Sequence, residues 1–373
     1  MTDFSSFTAP GIDALHPYVP GKPIEELERE LGLSHTIKLA SNENPLGPSP
    51  KGRDAAMEVL GDIHQYPDDS GFRLKKKLAA RTGLQADRIV LGAGSSDVID
   101  LVARTFLAPG SNAVFSRYSF AMYPIYTTAA GAQCRVAEAL PPDHGEMPYG
   151  HDLEKMAAQV DENTRVVFIA NPNNPTGTWL SKTALYGFLR ELPAQVVVVL
   201  DEAYTEYVSE ADFPNGVDWL DEFPNLMVTR TFSKIYGLAG LRVGYGMASR
   251  ELIALVSRVR HPFNVSLPAL AAAEAALDDR AFLDLSGDNN ARGLAQLGSA
   301  FDAMGLAHIP SVGNFITVDM QQDAGQVYEE LLAKGVIVRP VANYGLPRHL
   351  RITVGTADEN QRVLQALEQV LAS

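Results

Sequence analysis

The sequence predicts an α/β protein with a large domain, built on a mainly parallel sheet between helices, and a smaller α+β domain. Apolar runs alternate with helical segments from Tyr66 to about Met247, which is the pattern of strands joined by crossover helices. The run 196–200 is apolar throughout, as expected of a strand that is covered on both faces. In the last third of the chain the order changes to long helices followed by short strands, which indicates a second structural unit.

The candidate strands of the large sheet are short apolar runs bounded by polar or turn-forming residues. We predict them at 89–91, 113–116, 165–169, 196–200, 226–229 and 243–247. Two of the helices between them carry end signals. Gly83 ends a helix over 72–81, and Ser96 caps a helix over 97–106.

The last third predicts a smaller domain of mixed structure. We expect helices at 269–277, 290–304, 324–333 and 358–371, and strands at 314–318, 336–339 and 351–354. The first 37 residues have little periodicity and carry closely spaced prolines at 17, 20 and 23, which is typical of an arm lying on a larger body. We therefore divide the chain into an arm (1–37), a large domain (38–262) and a small domain (263–373).

The composition excludes several classes of protein. A hydrophobic content of 46% and a charged content of 20% are those of an ordinary globular protein. The formal net charge of -14 argues against non-specific binding to nucleic acid or to an anionic membrane. The single cysteine, Cys134, excludes an internal disulfide and is more typical of a packed strand residue than of a nucleophile. The N-terminus lacks the features of a signal peptide and no apolar run could span a bilayer, so we expect a soluble cytoplasmic protein without a metal.

The most informative motif is Thr-Phe-Ser-Lys at 231–234, followed by Arg242. Lys234 lies among hydroxyl residues and glycines just after an apolar run, and an amine at the end of a buried strand can lose its proton and attack a carbonyl. The hydroxyls of Thr231 and Ser233 and the charge of Arg242 suit a phosphate group. An isolated Ser-x-Lys would instead indicate a surface lysine in a turn, so the interpretation depends on other segments.

Polar residues follow two further apolar runs of the large domain. Asp201 and Tyr204 come directly after the run 196–200, at the end of a strand where α/β folds place ligand chemistry. The segment 171–177, Asn-Pro-Asn-Asn-Pro-Thr-Gly, follows the run 166–169 and forms a rigid loop.

A third polar segment opens a helix. Residues 92–97, Gly-Ala-Gly-Ser-Ser-Asp, follow a predicted strand, and the free N–H groups of a helix N-terminus favour a phosphate. A dinucleotide fingerprint is excluded because Asp97 occupies the position of its third glycine. A plain N-cap turn is the other interpretation of this segment taken alone.

Taken in order, Asn-Pro-Thr-Gly, Asp-x-x-Tyr, Ser-x-Lys and Arg resemble the motifs of the pyridoxal-phosphate (PLP) dependent aminotransferases of class II and fold type I. The resemblance covers nearly the whole chain and is most specific over 40–247 and 339–355. It implies a seven-stranded, mainly parallel sheet, PLP as the cofactor and a homodimer with shared active sites.

The resemblance also implies roles around the ring of the cofactor. Lys234 would carry PLP as a Schiff base and act as the catalytic base. Asp201 would pair with the pyridine nitrogen, which keeps the ring protonated as an electron sink. Asn174 and Tyr204 would hydrogen-bond the phenolic oxygen of the ring.

Three further aromatic residues have implied roles. Phe120 would stack on the ring, with Tyr118 as the competing choice, and Tyr66 would reach across the dimer to the phosphate of the partner subunit's cofactor. The implied phosphate contacts within the same subunit are Gly94, Ser95, Ser96, Thr231, Ser233 and Arg242.

Substrate contacts are implied by the end of the chain and by two early motifs. Arg351, in Leu-Arg-Ile-Thr-Val-Gly, matches the arginine that clamps the substrate carboxylate, and Arg339 can supply a second anion contact. Tyr18, in His-Pro-Tyr, and Asn44, in Ser-Asn-Glu-Asn-Pro, match positions near the substrate.

These motifs together look most like those of the histidinol-phosphate aminotransferases, which exchange an amino group between L-histidinol phosphate plus 2-oxoglutarate and imidazole acetol phosphate plus L-glutamate. An aromatic amino acid aminotransferase is the main alternative, and a PLP-dependent decarboxylase of a phosphorylated amino acid is a weaker one. A PLP-binding sensor fused to a DNA-binding module is disfavoured, because the chain is acidic and has no basic helix-turn-helix segment.

Overall fold

The computed structural model describes residues 4–15, 17 and 20–372. The strands, in chain order, are β1 (Ile37–Lys38), β2 (Ile89–Gly92), β3 (Asn112–Ser116), β4 (Gln133–Ala137), β5 (Thr164–Ala170), β6 (Val197–Asp201), β7 (Leu226–Thr231), β8 (Gly244–Met247), β9 (His308–Ile309), β10 (Phe315–Asp319), β11 (Val336–Ile337), β12 (Arg339–Val341) and β13 (Leu346–Thr353).

The α-helices are α1 (Ile24–Leu31), α2 (Pro50–Glu58), α3 (Phe72–Thr82), α4 (Ser95–Phe106), α5 (Met122–Ala129), α6 (Leu153–Ala158), α7 (Lys182–Glu191), α8 (Arg250–Val256), α9 (Leu267–Ala276), α10 (Arg280–Ala303), α11 (Ala324–Ala333) and α12 (Ala357–Leu371). Short 3-10 helices lie at Phe4–Phe7, Ile12–Ala14, Leu60–Asp62, Ala86–Arg88, Thr205–Tyr207, Gly216–Trp219, Ala239–Leu241 and Ala342–Tyr344. In the part of the chain that the structure describes, no helix is both long and apolar enough to cross a membrane.

The large sheet has seven strands in the order β2-β8-β7-β6-β5-β3-β4. Its strands pair in parallel except for β8, which is antiparallel to both of its neighbours. The predicted mainly parallel, seven-stranded α/β fold is therefore confirmed. The carboxyl ends of β5, β6 and β7 meet at one edge of the sheet, where they position the site described below.

Both faces of this sheet are buried, which explains the continuous apolar run in β6. Val198 and Leu200 pack into one core layer, whereas Val197 and Val199 pack into the layer on the opposite face. Because successive side chains of a strand alternate between faces, a strand covered by helices on both sides needs apolar residues at every position.

The C-terminal part of the chain forms a separate antiparallel sheet with the order β12-β13-β10-β9. Helices α10, α11 and α12 contribute to its core, together with Leu39 from the early part of the chain. Strand β1 pairs in parallel with β11, so the segment that precedes the large sheet is also tied to the small one.

The structure corrects three details of the sequence prediction. Helix α4 begins at Ser95 with Gly94 as its N-cap and no side-chain cap, so Ser96 lies inside the helix and does not cap it. The sheet has an additional edge strand, β4, which contains Cys134. Helix α10 begins at Arg280, ten residues before the predicted start at 290.

The predicted division into arm, large domain and small domain remains a prediction. Helix α9 concerns the predicted boundary between the large and small domains. Its residues Ala269, Ala272 and Ala273 pack in the same core layer as strands of the large sheet. The prediction placed this helix, at 269–277, in the small domain. Its packing with α2 and α3 instead associates it with the large sheet.

Candidate functional site

A cavity of about 330 Å³ opens at the carboxyl ends of β5, β6 and β7 and is closed on its other side by β13 and the segment that follows β1. It gathers hydroxyl, carboxylate, amine and guanidinium groups that lie far apart in the sequence. The lining residues used below are Ser41, Asn42, Glu43, Ser95, Ser96, Phe120, Asn174, Asp201, Tyr204, Thr231, Ser233, Lys234, Arg242 and Arg351.

Asp201, the last residue of β6, is a buried carboxylate at one wall of this cavity. Thr229 Oγ1 donates to its Oδ1 at 3.0 Å and the Tyr123 hydroxyl donates to its Oδ2 at 3.1 Å. Burial raises the pKa of Asp201 to about 6, although both hydroxyls act in the opposite direction. A cationic N–H group placed against this carboxylate would offset the cost of burying its charge.

Lys234 lies just beyond the end of β7, with its Nζ donating to the Ser41 carbonyl at 3.2 Å. Burial lowers the pKa of this amine to about 7, and the charges of Arg351 and Arg242 add to the decrease. A large fraction of Lys234 is therefore neutral near pH 7, which is the state in which an amine attacks a carbonyl.

An anion cradle is formed by the N-terminus of α4 and the loop after β7. Ser95 and Ser96 are the first residues of the helix and line the cavity, and the first N–H groups of a helix have no partner within it. Arg242 Nη1 donates to Ser233 Oγ at 3.2 Å. Gly94 has φ of 90°, and a Cβ at this position would lie 2.5 Å from Arg242 Nη2, so only glycine permits the guanidinium to approach the helix.

Tyr204 and Asn174 also line the cavity and are held by other polar side chains. Asn42 Nδ2 donates to the Tyr204 hydroxyl at 2.8 Å, and Arg351 donates through Nη1 to Asn174 Oδ1. Burial raises the pKa of the Tyr204 phenol, which remains protonated and able to donate a hydrogen bond at neutral pH.

Arg351 lies on β13. Among the described residues, it is the one arginine of the small sheet that lines the cavity. Its Nη2 donates to the Ala40 carbonyl at 2.8 Å, and its guanidinium lies 5.4 Å from the centre of the Phe315 ring. Its Nε is buried and has no hydrogen-bond partner among the residues described. A buried charged donor without an acceptor favours an anionic ligand at this position.

Arg339 lies directly opposite Arg351 in the β12–β13 pair but does not line the same cavity. It contributes to a neighbouring cavity together with Arg117, Tyr328 and Tyr344. Its contact with the substrate therefore stays a prediction.

The two candidates for stacking on the cofactor ring lie in different surroundings, and the choice between them stays a prediction. Phe120 lines the cavity, whereas Tyr118 packs edge-to-face against Tyr149 with ring centres 5.3 Å apart. This placement supports Phe120 as the stacking residue.

The side chain of Asn44 does not line the cavity, and its contact with the substrate stays a prediction. Its Nδ2 donates to the Ile235 carbonyl at 2.8 Å and to Ser286 Oγ at 2.9 Å. It therefore holds the loop that contains Lys234, and its neighbour Asn42 lines the cavity in its place.

Two further predicted residues lie outside the cavity of this subunit. Tyr66 is 81% exposed and stacks on Phe263 with ring centres 4.5 Å apart. Its predicted role needs a partner subunit and stays a prediction. Tyr18 lies outside the described residues, and its role also stays a prediction.

Sequence reasoning missed several residues that support the site. Tyr123 and Thr229 hold Asp201, and Asn42 holds Tyr204. Glu43 also lines the cavity. No local pattern marks Tyr123, Thr229 or Asn42, because each acts on a residue that is distant along the chain.

The arrangement fits PLP. A lysine with a lowered pKa, a buried carboxylate and an anion cradle lie around one cavity, and they match an aldehyde, a pyridine nitrogen and a phosphate respectively. Within the described residues, no group of three or more His, Cys, Asp or Glu side chains could hold a metal ion.

Comparisons with known proteins point to the same chemistry. The family model "Aminotransferase class I and II" matches residues 34–367. Histidinol-phosphate aminotransferase 2 of Pseudomonas aeruginosa is 55% identical over 374 residues, which covers 100% of each chain. Histidinol-phosphate aminotransferase 1 of Nitrosococcus oceani is 54% identical, with 99% of this chain and 98% of the relative covered. The crystal structure of histidinol-phosphate aminotransferase from Sinorhizobium meliloti in complex with pyridoxal-5′-phosphate has a TM-score of 0.88 and 30% identity, with 98% of each chain covered.

Proposed function

This chain belongs to the class I and II aminotransferase family, and on that premise we propose that it transfers the amino group of L-histidinol phosphate to 2-oxoglutarate. The products are imidazole acetol phosphate and L-glutamate, and the reaction is a step of histidine biosynthesis. The chain is a transaminase whose cofactor is pyridoxal 5′-phosphate. The family and cofactor predicted from the sequence are confirmed.

The observation that carries the proposal is the presence of Lys234 and Arg351 in one cavity. Burial lowers the pKa of Lys234 to about 7, so its amine can act as a base near neutral pH. Arg351 has a buried Nε without a partner among the described residues, so it can bind an anion beside that base. An amino donor with an anionic end can therefore be held with its Cα near the amine.

When bound, PLP supplies an aldehyde that takes up the donor's amino group and a ring that withdraws electrons from the donor's Cα. Lys234 Nζ takes up the proton that leaves Cα. The Asp201 carboxylate, held by Thr229 and Tyr123, would keep a proton on the ring nitrogen. Phe120 would cover the ring, and Tyr204 and Asn174, which also line the cavity, would donate to its phenolic oxygen.

We also propose the phosphate and substrate contacts implied by the family. Gly94, Ser95 and Ser96 with Thr231, Ser233 and Arg242 hold the cofactor phosphate. Arg351 binds the phosphate of histidinol phosphate in one half-reaction and a carboxylate of glutamate in the other, because a guanidinium fork accepts either anion. Arg339 supplies a second anion contact, and Tyr18 contacts the substrate nearby.

The homodimer and the cytoplasmic location are proposals as well. Support for a dimer comes from the 81% exposure of Tyr66 and from the exposed apolar side chains of Met57, Ile63 and Phe72 in the same stretch of the chain. A sedimentation experiment at micromolar protein concentration tests the dimer, and an active monomer would overturn it. Cell fractionation with antibody detection tests the location, and recovery outside the cytoplasmic fraction would overturn it.

A donor screen tests the proposed reaction. With 2-oxoglutarate as the acceptor, kcat/KM is compared for histidinol phosphate, phenylalanine, tyrosine, aspartate and alanine. We expect histidinol phosphate to be the best donor. If phenylalanine or tyrosine exceeds it by more than about tenfold, which is about 1.4 kcal/mol of transition-state stabilisation, the enzyme is an aromatic aminotransferase.

A further inference from the structure

Five charged side chains line the cavity within the described residues, and four of them have a role in the proposed reaction. Lys234 and Asp201 act on the reacting centre, Arg242 belongs to the phosphate cradle, and Arg351 binds the anionic end of the substrate. Glu43 is the fifth. A carboxylate in a site for anionic substrates repels them, unless it contacts a part of the substrate that carries an N–H group.

The position of Glu43 is fixed by its neighbours in the chain. The carbonyl of Ser41 accepts a hydrogen bond from Lys234 Nζ at 3.2 Å, and the side chain of Asn42 donates to Tyr204. The segment 41–43 therefore forms a wall of the cavity beside the reacting amine. The Glu43 carboxylate accepts from Lys38 Nζ at 3.2 Å and keeps 46% of its side chain exposed, so acceptor positions on its oxygens remain for a ligand.

The two amino donors differ in the group that they would present to this wall. Histidinol phosphate and glutamate both carry an anionic group for Arg351. The other arm of histidinol phosphate ends in an imidazole ring with an N–H donor, whereas the other arm of glutamate ends in a second carboxylate. Phenylalanine has no N–H on its ring at all.

We propose that Glu43 selects the amino donor by accepting a hydrogen bond from the imidazole N–H of histidinol phosphate. The inference rests on the proposed function and adds a specificity-determining residue to it. The imidazole donates in both its neutral and its protonated form, so the contact does not depend on the protonation state of the ring. Because the acceptor is ionised, the contact is stronger than a hydrogen bond between neutral groups.

The test is the rate of the half-reaction of the PLP-loaded enzyme with each donor in a single turnover. We expect Glu43→Ala to lower the second-order rate constant for histidinol phosphate by about 10-fold or more, the loss typical of a charge-assisted contact. The same variant should leave the constant for glutamate unchanged or raise it, because a repelling carboxylate has been removed. Glu43→Gln should give an intermediate loss with histidinol phosphate, since its amide oxygen still accepts a hydrogen bond without the charge.

Glu30 provides a matched control. It is also a half-exposed glutamate paired with a lysine, with 47% of its side chain exposed and an oxygen 2.5 Å from Lys22 Nζ, but it lies on α1 and does not line the cavity. Glu30→Ala should leave the rate constants for both donors unchanged.

The outcomes separate the inference from the function on which it rests. Glu43 also influences Lys234 through its charge, so a purely electrostatic role would change the rates with both donors by the same factor. An equal loss with both donors, or no loss with histidinol phosphate, overturns the proposed selection while the reaction stands. A wild-type enzyme that does not accept histidinol phosphate overturns both.

Discussion

The carboxyl edge of the large sheet and the facing strands of the small sheet contribute to the cavity in different ways. Asp201 and its partner Thr229 come from adjacent parallel strands, and Lys234 follows at the end of the second of these strands. On the small sheet, Arg339 and Arg351 are directly opposite each other, yet only Arg351 lines the cavity. Parallel strands that end together bring their following residues to one edge, whereas opposite residues of an antiparallel pair share a face but not necessarily a ligand.

The difference teaches which half of the site has its hydrogen bonds satisfied within the chain and which half keeps groups available for a substrate. Asp201, Thr231 and Ser233, at the large-sheet edge, are buried and hydrogen-bonded to other side chains. Arg351 retains an unpartnered Nε among the described residues, and Glu43 is half exposed. We expect variants of the first group to abolish chemistry and variants of the second group to change substrate preference.

The largest effect is expected for Lys234→Ala. The variant loses the amine that both binds the cofactor and moves the substrate proton, so kcat should fall by about 10³-fold or more. Steady-state kinetics with histidinol phosphate measures the loss. Lys155→Ala, at an exposed helix position, is the control and should keep wild-type turnover. Substantial activity in Lys234→Ala would show that the large-sheet edge does not carry the chemistry.

Asp201→Ala should have the next largest effect. Loss of a buried group that stabilises charge in the transition state costs about 10²–10³-fold in kcat. Tyr123→Phe removes only one hydrogen bond to this carboxylate and should cost about tenfold or less. Comparing kcat of the two variants tests the order, and a larger loss in Tyr123→Phe than in Asp201→Ala would contradict the assigned roles.

Variants of the two arginines test the small-sheet half of the comparison. Loss of a charge-assisted contact of about 1.5–3 kcal/mol predicts a decrease in kcat/KM of about 10- to 150-fold for Arg351→Ala. Arg351→Lys should recover part of this, since it keeps the charge but not the fork. Arg339→Ala should cost less, because Arg339 lines the neighbouring cavity. An equal or larger decrease in kcat/KM for Arg339→Ala would mean that both arginines bind the same anion.

The smallest effect concerns pH. The pKa of Lys234 is lowered to about 7, so its neutral fraction rises with pH and is nearly complete about one unit above that value. The rate at which cofactor-free protein takes up PLP should therefore increase from pH 6 to about 8 and then level off. Stopped-flow absorbance measures this rate. A continued increase towards pH 10 would indicate an amine with the ordinary pKa of an exposed lysine.

Sequence patterns predicted the large-sheet half of the site more completely than the small-sheet half. The apolar run before Asp201 and the Ser-x-Lys motif are local signals, and the structure brings these residues to one cavity. Strand β4 was absent from the predicted strands, although Cys134 was expected to be a strand residue, because Gln133 and Arg135, on an edge strand, interrupt its apolar character. The early start of α10 was missed because Gly287 and its polar neighbours lie in the helix interior.

The side-chain contacts of the segment 42–44 could not be predicted from the spacing of its residues in the sequence. Asn42 and Asn44 lie two residues apart in one irregular segment, and no periodicity indicates which of them faces the cavity. Asn42 adopts φ of 55°, which turns the chain so that its amide meets Tyr204 while Asn44 meets Ile235. Tyr123 and Asp201 are 78 residues apart, so their hydrogen bond is a property of the folded chain alone.

The most direct test of the central claim is to locate the lysine that binds the cofactor. Reduction of the PLP-loaded enzyme with borohydride converts the C=N bond into a stable amine, and peptide mapping by mass spectrometry identifies the labelled residue. We predict one label, on Lys234. A label on any other lysine would contradict the assignment of the cavity at the large-sheet edge as the active site.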